Sequence, residues 1–139
     1  MTILERYLAY ADAFEATYED GDWTRLEEFF TDDAVYETNS PDSGREEAIP
    51  ALKASVEGFD RRMDERLPDF APPSVDGRWV TMKWKVTYKK AGLPDIVLSG
   101  SETAEFRGTR IAALRAKMDP EAQAALQEWM IESAQGVDD

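Results

Sequence analysis

Three long segments that alternate apolar and polar residues follow one another between residues 78 and 118, and they commit the chain to an antiparallel sheet with one dry face. In Arg78–Lys90, Val80, Met82, Trp84, Val86 and Tyr88 alternate with Thr81, Lys83, Lys85 and Thr87. A clean period of two is the signature of a half-buried strand. Gly92-Leu93-Pro94 turns the chain, and the segment Ile96–Arg107 puts Ile96, Leu98, Gly100, Glu102, Ala104 and Phe106 on one side. Gly108-Thr109 makes a hairpin turn into Arg110–Met118, where Leu114, Ala116 and Met118 share a face.

The residues before this sheet read as helices with one strand among them. Ile3, Tyr7, Tyr10 and Phe14, flanked by Leu4, Ala11 and Tyr18, give residues 3–19 one apolar face, and Gly21 is a natural stop. Asp22 is a helix N-cap candidate, with its carboxylate taking up free backbone N–H groups. Trp23, Leu26, Phe29 and Phe30 then fall at helical spacing. Thr31-Asp32-Asp33 has turn chemistry, and a strand over about 33–39 puts Ala34, Tyr36 and Thr38 on one side. Residues 39–44 form a loop by composition. Ser43 and Glu46 have capping-box spacing. Pro50 fits only a first turn, which places the next helix start at 46–50. Ile49, Leu52, Val56, Phe59 and Met63 carry that helix to about residue 66, with Arg61, Arg62 and Arg66 on a solvated face. Leu67–Pro73 breaks it and links onward through a short edge strand. After the sheet, Asp119-Pro120-Glu121 starts a last helix reaching about Gln135, with Ala122, Leu126, Trp129, Met130 and Ser133 as its stripe. Packing on its own subunit is the default for that helix; capping the pocket or docking on a partner are the alternatives.

Charge and composition narrow the chemistry. Lys+Arg 16 against Asp+Glu 29 leaves a formal net charge of −13, which disfavours nucleic acid and anionic membranes as partners. There is no Cys and no His. Acid–base chemistry must therefore run on Asp, Glu, Tyr or Lys, and no metal or other cofactor is expected. The 139 residues suffice for one domain with a real core. Met1–Arg6 is charged and lacks a long apolar run, which argues against a signal peptide or membrane span and for a cytoplasmic protein.

Gly21-Asp22-Trp23, Phe30-Thr31-Asp32-Asp33-Ala34-Val35-Tyr36, Gly44 with Ala48-Ile49, and Thr103–Gly108 before Ile111 carry a resemblance in their order along the chain. On these motifs the chain resembles the nuclear transport factor 2-like superfamily, in particular the SnoaL-like polyketide cyclase group. The resemblance implies an α+β fold: a strongly curved, mixed or antiparallel sheet wrapped as a cone around three N-terminal helices. Residues 1–118 would form that domain, and residues 119–139 an extra C-terminal helix of the same domain. It also implies a deep apolar pocket and, in many members, a homodimer through the sheet face. The fold hosts isomerases, dehydratases, cyclases and epoxide hydrolases. Carried over from ketosteroid isomerase, the helix-one Tyr position holds Phe14, the base position holds Thr38, and only Glu102 keeps an acid. Limonene epoxide hydrolase would place its strand-one Tyr on Tyr36 and its Asn on Thr38, but its last-strand Asp falls on Ala116.

The residues themselves single out Glu102. A carboxylate on a dry strand face must be paired, hydrogen-bonded or protonated, and burial raises its pKa. Such a group could donate a proton or shuttle one, with Tyr36 or Tyr10 assisting. Two structural alternatives stand beside this. Glu102 could bond a nearby Tyr hydroxyl or backbone N–H and merely fix the core, or a bulge could turn it outward to Arg110 or Arg115. Tyr10, Phe14, Thr38, Phe59, Met63, Met82, Trp84 and Met118 are candidate pocket wall, though an aromatic or Met stripe also serves as plain core. Two functions follow. One is a small-molecule protein acting by acid–base isomerase, cyclase or dehydratase chemistry on an apolar, cyclic or carbonyl-bearing molecule. The other is a non-catalytic ligand-binding or dimerisation module.

Overall fold

Two helices and a 3-10 turn lead the chain into a seven-stranded sheet that curves around them. The computed structural model describes residues 2–38 and 45–137; the loop 39–44, with Gly44 and the Ser43 half of the expected capping box, lies outside them. Helix α1 spans Ile3–Asp20. Thr2 and Glu5 close its N-terminus as a capping box, and Gly21 ends it in the left-handed region at φ 75°, its N–H donating to Thr17 O. A 3-10 helix, Trp23–Phe29, buries Trp23, Leu26 and Phe29. Asp22 precedes it but makes no capping bond to the backbone. Its carboxylate takes the Thr24 hydroxyl instead, at 2.5 Å.

Strand β1 covers Phe30–Thr38, longer than expected. The Thr31-Asp32-Asp33 segment is not a turn but an irregular part of this strand, where the pairing register shifts between Phe30 and Val35. Its turn chemistry survives locally, with the Thr31 hydroxyl donating to Asp33 at 2.8 Å. Strand β2 is the short Arg45–Glu47, and α2 runs Ala48–Gly58 with Pro50 in its first turn.

The helix expected to reach residue 66 stops at Gly58. Phe59 leaves helical geometry at φ −135° and ψ −62°, a 3-10 turn covers Asp60–Arg62, and strand β3 occupies Glu65–Phe70. The apolar spacing of Phe59 and Met63 was read as helical, but β3 gains a six-residue ladder against the next long strand. Pro68 sits within it because β3 is an edge strand, where a missing N–H is tolerated.

Strands β4 (Ser74–Asp76), β5 (Trp79–Lys89), β6 (Ile96–Arg107) and β7 (Arg110–Met118) complete the sheet. Its order is β2-β1-β7-β6-β5-β3, with β4 on β5. β1 runs parallel to β7 and every other pairing is antiparallel. A second register shift lies between Glu105 and Phe106; such irregularities bend a strand and increase its twist. The sheet is open, with β2 and β3 at its edges. Helix α3, Pro120–Val137, packs on β6.

The concave side holds two apolar clusters. One joins Tyr7 and Tyr10 of α1 with Leu26, Phe30, Leu52, Val56 and the strand residues Val80, Ala104, Phe106, Ile111 and Leu114. The other gathers Val86, Tyr88, Ile96, Leu98 and Ala122, with Phe59, Trp84, Leu126 and Trp129 packed against it. The alternation in β5 and β6 thus sorts inner from outer residues as the sequence requires. Gly100 has a specific task here: a Cβ on it would lie 2.2 Å from Lys117 O and 2.8 Å from the Trp84 ring. Only glycine lets that indole lie against the strand.

Candidate active site in the concave face

Between helices and sheet lies a cavity of about 820 Å³. Its floor is built by cross-strand register. Thr38, Ala116, Glu102 and Met82 form one row across β1, β7, β6 and β5. Met118, Gly100, Trp84 and Phe70 form the row two residues further on. Because side chains alternate across a strand, both rows face the same side. Tyr10 and Phe14 of α1, Tyr36 of β1, and Val56 and Phe59 at the end of α2 close the cavity. Leu126 and Met130 of α3 reach its edge. That helix packs on its own subunit, with Trp129 donating to Pro94 O at 2.9 Å and standing edge-on to Phe59.

Of the residues expected in the wall, Tyr10, Phe14, Tyr36, Thr38, Phe59, Met82, Trp84, Met118 and Glu102 all line this cavity. Met63 does not. It follows the helix break and packs against the cluster around Val86 and Tyr88.

Glu102 points inward, not out to Arg110 or Arg115; Arg115 pairs with Glu37 at 3.3 Å. The Glu102 carboxyl accepts a 2.6 Å hydrogen bond from the Tyr7 hydroxyl. Tyr7 is fully buried, whereas Glu102 keeps partial access through the cavity. Burial raises the Glu102 pKa, and the Tyr7 hydrogen bond pulls it partly back. Tyr10 and Tyr36 are pushed well up, first by burial and then by the Glu102 charge. These phenols therefore stay protonated at neutral pH. Neither makes a hydrogen bond to the described residues, so both hydroxyls can serve a bound molecule. The arrangement can hold a proton on a carboxyl at an apolar wall and move it to or from a ligand atom.

Sequence reasoning foresaw a Tyr hydroxyl on Glu102 without naming Tyr7, and it missed the opposite wall entirely. There Arg66 pairs with Glu15 at 2.8 Å and with Asp60 at 3.1 Å, and the Tyr88 hydroxyl donates to Asp60 at 3.0 Å. Arg66, expected on a solvated helix face, is instead a strand residue whose side chain is only 9% exposed. Burial raises the Asp60 pKa against the opposing pull of Arg66 and Tyr88. The signal available was Tyr88, a polar-tipped residue on a dry strand face, which needs a partner when buried. Among the described residues no group of His, Cys, Asp or Glu could hold a metal ion, and no helix is long and apolar enough to cross a membrane.

Solved structures of the same architecture are numerous. Bal32a, from a soil-derived mobile gene cassette, is 19% identical over 92% of this chain and 98% of its own, with a TM-score of 0.66. TerC, co-crystallised with polyporic acid, is 11% identical over 89% and 97%, with a TM-score of 0.68. A nuclear transport factor 2-like protein of unknown function from an Exiguobacterium species is 22% identical over 86% and 99%, with a TM-score of 0.63. At such identities the likeness concerns the fold. No curated protein sequence matches the chain. The sequence profile of the SnoaL-like domain matches residues 9–115. That match takes in most of α1, the 3-10 helix and nearly all of the sheet, and so this chain belongs to the SnoaL-like family within the nuclear transport factor 2-like superfamily.

Proposed function

We propose that the chain binds a small, mostly apolar, cyclic or carbonyl-bearing molecule in the cavity and that Glu102 acts on it as a proton donor or shuttle. The observation that carries this reading is a carboxyl with a raised pKa, held by Tyr7 and still reachable through an apolar cavity. A protonated carboxyl against a ligand oxygen stabilises charge developing there, and proton transfer by a positioned group is worth roughly 10²–10⁴-fold in rate. Tyr36 and Tyr10 would hold the same oxygen or a neighbouring one. TerC, which shares the fold, was crystallised with polyporic acid; this supports a ring-bearing organic ligand as the class to test first.

The test uses solvent deuterium exchange at carbons next to the carbonyl in a panel of cyclic ketones, followed by NMR. Glu102→Gln is expected to lose exchange by at least a hundredfold while the ketones still bind. Unchanged exchange would remove Glu102 from the chemistry.

A second reading, a non-catalytic binding module, is favoured by one observation: the 2.6 Å bond to buried Tyr7 is also what a purely structural acid would make. In that case no ketone of the panel exchanges above the buffer rate. A homodimer through the outer sheet face belongs to either reading. That face sets Thr81, Ser99, Ser101 and Thr103 among Lys83, Lys85 and Lys117, a surface suited to a wet interface.

A further inference from the structure

The cavity wall opposite Glu102 carries charges that the proton chemistry leaves unused. Glu15, Asp60, Arg66 and Tyr88 all line the cavity. One guanidinium faces two carboxylates there, an excess of one negative charge when both are ionised. Arg66 lies over the Tyr18 ring at 4.8 Å, which fixes the guanidinium in place. Glu15 Oε1 takes Arg66 Nη1, but Glu15 Oε2, shielded from solvent, has no hydrogen-bond partner among the described residues. Leaving a buried acceptor unmatched is unfavourable. Glu15 itself lines the cavity, so a donor on a bound molecule is the partner within its reach.

The two polar walls are far apart. Tyr7 and Glu15 are eight residues apart on α1, about 12 Å at the helical rise. Along the sheet, the row of Glu102 and the row of Tyr88 are six residues apart, about 20 Å of strand. Between them lie the apolar Phe14, Trp84, Val86 and Leu98, with Tyr10 and Tyr36 close enough to feel the charges of both ends. Such a space suits a long, flat molecule that is polar at both ends.

We propose that the Glu15–Arg66–Asp60 cluster is a second anchor of this cavity, accepting a hydrogen bond from a hydroxyl at the far end of an elongated apolar ligand. This rests on the reading of the cavity as a ligand site. The excess negative charge selects against an anionic end group and for a donor. A methyl ether, which accepts but cannot donate, leaves Glu15 unmatched.

The experiment measures dissociation constants by calorimetry for three trans-stilbenes, carrying at both ends a hydroxyl, a methoxy or a carboxylate. The unmodified chain, Glu15→Gln and Glu102→Gln are compared. The dihydroxy compound is expected to bind about tenfold tighter than the dimethoxy one, as a hydrogen bond to a charged acceptor warrants, with the dicarboxylate weakest. In Glu15→Gln, whose amide can donate to an ether, that preference falls to near parity. In Glu102→Gln the preference persists. Equal binding of the hydroxy and methoxy compounds, tightest binding of the dicarboxylate, no binding of any, or a preference intact in Glu15→Gln would each overturn the proposal. A tenfold loss of dihydroxy affinity in Glu102→Gln, with the preference kept, counts against the Glu102 reading alone. Should Glu15→Gln fail to fold, the contrast among the three compounds on the unmodified chain decides.

Discussion

The two ends of the cavity solve one problem in opposite ways. Each places carboxyl groups where water is scarce. At the Glu102 end the only hydrogen-bond partner among the described residues is a neutral phenol, Tyr7, and burial drives the acid toward its protonated form. At the Glu15–Asp60 end a nearly buried guanidinium holds two acids by direct ion pairs, with Tyr88 as a further donor. A neutral partner leaves burial opposed on Glu102 by one hydrogen bond alone, whereas at Asp60 a guanidinium opposes burial without outweighing it and fixes both carboxyls in place. The difference separates an end fit for proton transfer from an end fit for anchoring.

Removing the cation breaks that contrast most sharply. Arg66→Met should leave Glu15 and Asp60 with no counter-charge, and breaking a buried pair in this way costs about 3–5 kcal/mol. Glu15 is 34% exposed along its side chain, so about 3 kcal/mol is expected at neutral pH, read from the urea midpoint. The attraction lost exists only while the carboxylates are ionised. The penalty therefore shrinks as pH falls and Asp60, its pKa raised by burial, takes up a proton. A penalty that is the same at pH 7 and pH 4 would show that Arg66 acts through packing, and the two ends would no longer differ in kind.

This end was also the less legible of the two. Glu102 could be placed from sequence because strict alternation through Ile96, Leu98, Gly100, Ala104 and Phe106 leaves it no other face. The strand limits of β6 and β7 follow from the same period and from the Gly108 turn. Arg66 was hidden by the run Leu52–Val56–Phe59–Met63, whose steps of three and four are helical. The chain gives up that helix at Gly58, and β3 gains instead a ladder on β5, a tertiary reward that no local pattern announces. Met63 dropped out of the wall for the same reason. Tyr7 went unrecognised as a partner because on α1 it reads as one more apolar position. Its hydroxyl acquires meaning only when β6, ninety-five residues later, sets Glu102 beside it.

The contrast sharpens if the Tyr7 hydroxyl is removed alone. Tyr7→Phe keeps the fully buried ring and deletes only the 2.6 Å hydrogen bond. A loss of about 1–1.5 kcal/mol is expected, the usual range for one such bond. Because the Tyr7 bond is the influence that lowers the Glu102 pKa against burial, its removal should move the Glu102 titration to higher pH. Carbon-13 NMR of the labelled carboxyl reads this directly. A titration that stays put, or moves down, would mean that Tyr7 does not govern the proton on Glu102.

The smallest effect is a gain, and its sign follows from linkage. The folded-state pKa of Glu102 stands above the ordinary 4.5. Below pH 4.5 the carboxyl is protonated in folded and unfolded chains alike, and Glu102 makes no pH-dependent demand on stability. As pH rises past 4.5 the unfolded chain ionises first, so the folded state loses ground until pH passes the folded pKa. Glu102→Gln keeps an acceptor for Tyr7 but has nothing to ionise. It should match the unmodified chain in stability below pH 4 and exceed it at neutral pH. Urea denaturation at a series of pH values measures the divergence. Asp60, whose pKa burial also raises, should diverge with pH in the same sense on Asp60→Asn, but the amide takes a charged acceptor away from Arg66, so its gain at neutral pH is expected to be smaller than that of Glu102→Gln. If both gain equally, the guanidinium contributes no net attraction. If both destabilise, the Glu102 carboxyl is already ionised in the folded chain and cannot be the proton donor proposed for it.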